Sequence, residues 1–138
     1  MKTRFSSLVK LKKSTMQKSQ RVVQEANATL QNASKALEVS YDAISDIDLP
    51  KNGSMSKFLA SRMLIESARD TIKHNQQWVE FAKTQLNEAK QRLKLDMIEY
   101  EKFKHLELQE IEKELKKLKL QEMKDLDEVA LMTHSIKR

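Results

Sequence analysis

The chain has 138 residues, a net charge of +6, 33% charged side chains and only 5% aromatic ones. It contains one glycine, one proline and no cysteine. Because tight turns depend on glycine and proline, this composition excludes sheet-rich folds and folds with glycine-rich phosphate loops. The missing thiols exclude a disulfide framework, a thiolate metal site and a cysteine nucleophile. The composition is typical of long, exposed helices.

The first predicted element is a helix over about residues 4–48. Its apolar residues recur every seven positions, and a second series of mostly small residues follows three positions behind. The two series are Val9, Met16, Val23, Leu30, Leu37 and Ile44, and Lys12, Ser19, Ala26, Ala33, Ser40 and Ile47. A stripe with this period predicts burial against one partner helix.

The only proline and the only glycine lie close together and predict a turn over residues 49–54. Pro50 ends the first helix, because the residue before a proline avoids the α conformation. Gly53 supplies the backbone freedom that a reversal needs, and Ser54 or Ser56 can cap the next helix.

The second predicted helix covers about residues 55–133 and repeats the seven-residue period. Its seam is Phe58, Ile65, Ile72, Val79, Leu86, Leu93 and Tyr100, with Ala68, Ala82, Ala89 and Phe103 three positions on and Asn75 and Asp96 as polar breaks. The sequence therefore predicts an all-α fold, a single-domain antiparallel two-helix coiled-coil hairpin in which helix 2 is longer than helix 1.

Beyond Phe103 the apolar phase slips, and the second helix is expected to outrun the first. A reversal near residue 51 would bring residue 9 beside about residue 93, so that 104–133 overhangs. The overhang carries an uncovered apolar stripe, namely Leu108, Ile111, Leu115, Leu118 and Met123. Such a stripe predicts a protein partner. The alternative is a single helix supported by charge pairs such as Glu112 with Lys116.

Charge is concentrated at the N-terminus, where residues 1–21 carry seven basic side chains and no acidic one. This block could bind nucleic acid, an acidic membrane or an acidic protein surface, or could be a solvated helix face. Basic residues are not interleaved with aromatic ones, which disfavours nucleic acid. The aromatic residues Tyr41 and Phe58 are expected near one another around the hairpin tip, where they close the core or contact a partner.

No enzyme chemistry is predicted. The histidines, His74, His105 and His134, lie about thirty residues apart and form no ligand pair. We therefore expect no catalytic residue, no metal ligand, no cofactor and no small-molecule substrate. Neither a transmembrane run nor a signal peptide is apparent, so a cytoplasmic location is the expectation.

The chain resembles the FliJ family, small soluble components of the bacterial flagellar type III export apparatus. Three segments carry the resemblance: Phe5-x-x-Leu8-x-x-Leu11; Phe58-Leu59 followed by Ile65-x-x-Ala68-x-x-x-Ile72; and Lys124-Asp125-Leu126-Asp127-Glu128-Val129-Ala130. The last segment is similar to the acidic ending of the family and is the most specific. The aromatic pair that relatives have on helix 1 is reduced to Tyr41.

The resemblance implies a coiled coil similar to the central stalk of rotary ATPases. Its expected partners are the export ATPase hexamer, the export-gate membrane protein and export chaperones, at the cytoplasmic side of the inner membrane at the flagellar base. The implied gate contacts are Leu37, Tyr41, Phe58, Ile65 and Ala68. The implied ATPase contacts are Lys2, Arg4, Lys10, Lys12, Lys13, Leu126, Asp127, Glu128, Val129 and Ala130.

Three alternatives stay open at this point. The chain could be the equivalent stalk of a virulence secretion system, a basic coiled coil that binds nucleic acid, or a structural homodimer that uses residues 104–130 as a zipper.

Overall fold

A computed structural model describes residues 2–136. Two helices account for most of this part of the chain, α1 at Ser6–Ser45 and α2 at Met55–Ile136. No strand occurs among the described residues. The predicted all-α class with a longer second helix is confirmed.

A reciprocal pair of hydrogen bonds fixes the start of α1. The Thr3 hydroxyl accepts from the Phe5 amide at 3.1 Å, and the Ser6 hydroxyl accepts from the Thr3 amide at 2.9 Å. These bonds satisfy amides that have no partner within the helix. They explain why α1 begins at Ser6 rather than at residue 4.

The end of α1 comes three residues earlier than expected, at Ser45 instead of about 48. Its last turn contains no basic side chain, and Asp42 and Asp46 lie close to the helix end. Carboxylates at this negative end of the helix dipole oppose further helix growth. Pro50 then prevents the helix from resuming.

The link between the helices contains the one conformation that requires glycine. Gly53 has a φ of +153°, and a side chain there would also lie 3.0 Å from Lys57. The carbonyl of Ser54 accepts from the amides of Lys57 and Phe58, which starts α2 at Met55. The predicted reversal at Pro50–Gly53 therefore matches the non-helical link.

The chain divides into two compact units, each built from a segment of both helices. The terminal unit comprises the residues up to Met16 and those from Asp96 onward, and the central unit is Gln17–Leu95. Within each unit the α1 segment runs antiparallel to the α2 segment, as the predicted coiled-coil hairpin requires.

In the central unit the predicted seam is the buried face. Every seam position is buried or half-buried except Phe58. Ala33, Val79 and Ala82 form a cluster, with Leu30 and Leu37 packed against it. Ala33 is 0% exposed and Ala82 is 1% exposed, so alanines form the closest approach between the helices.

In the terminal unit the pairing of the helices differs from the expected one. The expected register would place Lys12 opposite about residue 90, but its ammonium lies 3.7 Å from Glu99. Arg4 correspondingly lies 3.8 Å from Glu110. The expected register is wrong because it assumed a tight turn. The non-helical link at 46–54 is extended, and each extended residue spans about 3.3 Å against about 1.5 Å in a helix.

This pairing also moves the start of the overhang. Glu110 and Ile111 are still half-buried, whereas every residue from Glu112 to Ile136 is exposed. We call residues 112–136 the tail. The uncovered segment therefore begins at Glu112 rather than at residue 104.

Candidate interaction surfaces

A polar network interrupts the apolar seam of the central unit. The Asn75 side-chain amide donates to the Ala36 carbonyl at 3.3 Å and also to the Ser40 hydroxyl. The Ser40 hydroxyl in turn donates to the Ala36 carbonyl at 2.7 Å. A buried amide that is satisfied in only one alignment specifies the register of a coiled coil. This network therefore holds the two helices at one alignment.

Three of the five gate candidates contribute to the seam and not to the surface. Leu37 packs against the buried cluster, and Ile65 and Ala68 are half-buried seam residues. Only Tyr41 and Phe58 present exposed side chains. A partner that touches the folded central unit can therefore reach these two directly.

Tyr41 and Phe58 do not meet. The Tyr41 hydroxyl accepts from the Gln76 side chain at 2.8 Å. Phe58 lies eighteen residues before Gln76 on α2, a distance of about 27 Å along a helix. The expectation that the two rings lie near one another is wrong, and the reason is the same register error as above.

A second aromatic surface was missed by the sequence reasoning. Trp78 is 37% exposed and Phe81 is 62% exposed, and with His74 and Gln77 they line one shallow depression on α2. We call these four residues the outer aromatic patch. The signal was present in the sequence, since Trp78 and Phe81 flank the seam residue Val79 and fall outside the heptad positions.

The basic N-terminal segment is partly engaged within the terminal unit. Arg4 and Lys12 make ion pairs with α2, and the Lys12 ammonium also lies 5.6 Å from the centre of the Phe103 ring. Ion pairs at exposed positions contribute at most about 1 kcal/mol each, so a partner can displace them. The other ATPase candidates of this segment, Lys2, Lys10 and Lys13, are exposed.

The tail presents an apolar face with no covering helix in the terminal unit. The five ATPase candidates from Leu126 to Ala130 are all exposed. Of the predicted stripe, Leu108, Leu115, Leu118 and Met123 are exposed and Ile111 is half-buried. Exposed leucines at helical spacing along several turns are typical of a protein-binding surface.

The apolar stripe also turns away from the seam before the tail begins. The residues that face α1 continue the heptad to Glu107 and Glu110, which are half-buried although charged. The leucines lie one position later, at Leu108 and then at Leu115 and Leu118. The predicted phase slip therefore directs the tail stripe to a different side of α2 from the seam.

Comparison with known proteins decides the family. A family model described as Flagellar FliJ protein matches residues 1–138, the whole sequence. The chain belongs to the FliJ family. Comparisons with curated proteins and with solved structures returned no match.

FliJ proteins are components of the flagellar export apparatus, which makes this chain a part of that machinery. The FliJ family is non-enzymatic and consists of coiled-coil export components. In residues 2–136 of this member, no helix is long and apolar enough to cross a membrane. The same residues contain no group of three or more histidine, aspartate or glutamate side chains that could hold a metal ion.

Proposed function

We propose that this FliJ-family chain is a stalk-like coiled coil that engages the export ATPase hexamer. The observation that carries the proposal is the exposed apolar face of the tail, in the same compact unit as the basic N-terminal segment. A helix that enters a ring needs an apolar face for the subunits around it and cations for their acidic side chains. The terminal unit supplies both.

Such a stalk would act without an active site. Ring subunits in different nucleotide states would contact it differently, and the stalk would stabilise the states that bind it best. It would thereby raise the assembly and the ATP hydrolysis rate of the ring. The work would take place in the cytoplasm, peripherally at the inner membrane at the flagellar base.

The test is the ATP hydrolysis rate of the cognate export ATPase with and without the chain. Wild type is expected to raise the rate, and Leu126→Asp with Val129→Asp is expected to remove the effect. Loss of two buried anchors should weaken binding at least about tenfold, since one such anchor contributes about 2 kcal/mol or more.

Leu131→Asp is the matched control for that experiment. Leu131 is 68% exposed, like Leu126, but it lies on the opposite face of the tail. This variant should stimulate the ATPase as wild type does. Equal activity of the Leu126 and wild-type chains at saturating concentration would refute the proposal.

We further propose that the central unit contacts the export gate and helps chaperones to cycle. The exposed rings of Tyr41 and Phe58 support this, because aromatic side chains are good anchors for a partner. Leu37, Ile65 and Ala68 would then act indirectly, by holding the two helices together.

Tyr41→Ala with Phe58→Ala is expected to weaken binding to the export gate about tenfold or more without changing helicity. Leu37→Asp should instead lower the thermal stability, because this side chain packs in the core. Gate pulldown and far-ultraviolet circular dichroism measure the two effects separately. Phe81→Ala tests whether the outer aromatic patch belongs to the same surface, and unchanged binding of the Tyr41 and Phe58 variant would exclude the proposed contact.

A further inference from the structure

The tail contains two consecutive repeats of eleven residues, Lys113–Met123 and Lys124–His134. The equivalent pairs are Lys113 and Lys124, Glu114 and Asp125, Leu115 and Leu126, Leu118 and Val129, and Leu120 and Leu131. Eleven residues are close to three full helical turns, so equivalent residues lie on one straight face. Leu115, Leu118, Leu126 and Val129 thus form a continuous apolar face, defined here as the tail face.

The two repeats carry opposite charge. The first has four lysines and two glutamates, and the second has one lysine and three acidic side chains. Their net charges are therefore +2 and −2 with histidine neutral. A helix that is basic in one half and acidic in the other is electrostatically complementary to a copy of itself in the reverse direction.

We propose that two copies of this chain pair through their tail faces as an antiparallel dimer centred on Glu122. Leu115 then lies opposite the partner's Val129, and Leu118 lies opposite the partner's Leu126. The two halves of this contact are related by a twofold axis, as expected of an isologous interface.

The flanking charges select the antiparallel direction. Alignment on Glu122 brings Lys116 beside the partner's Asp127 and Lys117 beside the partner's Glu128. A parallel pair would instead place basic repeat on basic repeat and acidic repeat on acidic repeat, which repel. All these side chains are exposed, so they are available for pairing.

This inference goes beyond the proposed function and does not rest on it. The dimer would cover the same tail face that the proposed ATPase contact uses, so the isolated chain would protect that face until a ring replaces the second copy. A chain that dimerises without affecting the ATPase would refute only the proposed function. A chain that stimulates the ATPase but stays monomeric would refute only the dimer.

Sedimentation equilibrium of the full chain tests the dimer, with charge-reversed variants for its direction. We expect a dimer at micromolar to submillimolar concentration that weakens between about 50 mM and about 500 mM salt. Lys116→Glu with Lys117→Glu should raise the dimer dissociation constant about tenfold or more, because each ion pair occurs twice. Adding Asp127→Lys and Glu128→Lys to the same chain should restore it.

Lys51→Glu with Lys57→Glu is the control of equal charge change outside the tail, and should leave the dissociation constant unchanged. Cysteine cross-linking reports the direction, since the chain has no cysteine of its own. A mixture of Leu115→Cys and Val129→Cys chains should form a heterodimeric disulfide, whereas Leu115→Cys alone should not cross-link. A chain that stays monomeric at all concentrations, or a Leu115→Cys chain that cross-links with itself, would overturn the proposal.

Discussion

Ala33→Asp is expected to lower the free energy of unfolding by about 3–5 kcal/mol, because it buries a charge that has no partner. Ala33 is 0% exposed and clusters with Ala82, where the helices approach most closely. Neither water nor a cation can reach a carboxylate at this point without separating the helices. Since folded domains have only about 5–15 kcal/mol of stability, much of the variant should be unfolded at physiological temperature.

Urea unfolding followed by circular dichroism at 222 nm measures this loss. Ala28→Asp is the matched control, since Ala28 is an exposed residue of the same helix. The control should cost less than about 1 kcal/mol, which is the difference in helix propensity between alanine and aspartate. Similar losses for the two variants would mean that α1 does not pack through the Ala33 face.

Truncation after Ile111 is expected to abolish the effect on the export ATPase and to leave the hairpin stable. The deleted residues include the whole tail, and none of the tail residues is even half-buried. Their removal therefore exposes no core, and the free energy of unfolding should change by less than about 1 kcal/mol. This prediction separates the part that folds from the part that is proposed to bind.

Thermal unfolding and ATP hydrolysis should be measured on the same preparation of the truncated chain. A melting temperature several degrees lower than that of wild type would show that the tail stabilises the fold. Full ATPase stimulation by the truncated chain would move the proposed contact to another surface, with the basic N-terminal segment as the first candidate.

The sequence was a good guide to the fold because the seam is strictly periodic. Val79, Ala82 and Leu86 were predicted to face the partner helix, and all three are buried. Period alone identifies such residues, since every inward position follows from any other one. The location of the reversal was equally clear because Pro50 and Gly53 have no competitors in the chain.

Register could not be obtained in the same way. A heptad pattern matches itself after every shift of seven residues, so it does not specify which residue of α2 lies opposite Lys12. The answer depends on the length of the extended link and on the Asn75 network, both of which are three-dimensional properties. The errors about Tyr41 with Phe58 and about the start of the tail followed from this one ambiguity.

The interaction surfaces were harder to predict than the fold, because burial and binding use the same residue types. Leu37 and Tyr41 were both gate candidates, yet one packs in the core and the other is exposed. Phe81 was overlooked because attention to heptad positions sets other apolar residues aside. Large aromatic side chains outside the heptad positions would have been the better signal.

The small-residue seam of the central unit has a thermodynamic consequence. Among the described residues only five apolar ones are buried, and three of them are alanines. The heat capacity change of unfolding is proportional mainly to newly exposed apolar area, so it should fall below the usual value of about 12–15 cal/mol/K per residue. The free energy of unfolding then varies little between cold and warm conditions, and the chain should keep a nearly constant stability over the range of temperatures in which a motile cell assembles its flagella.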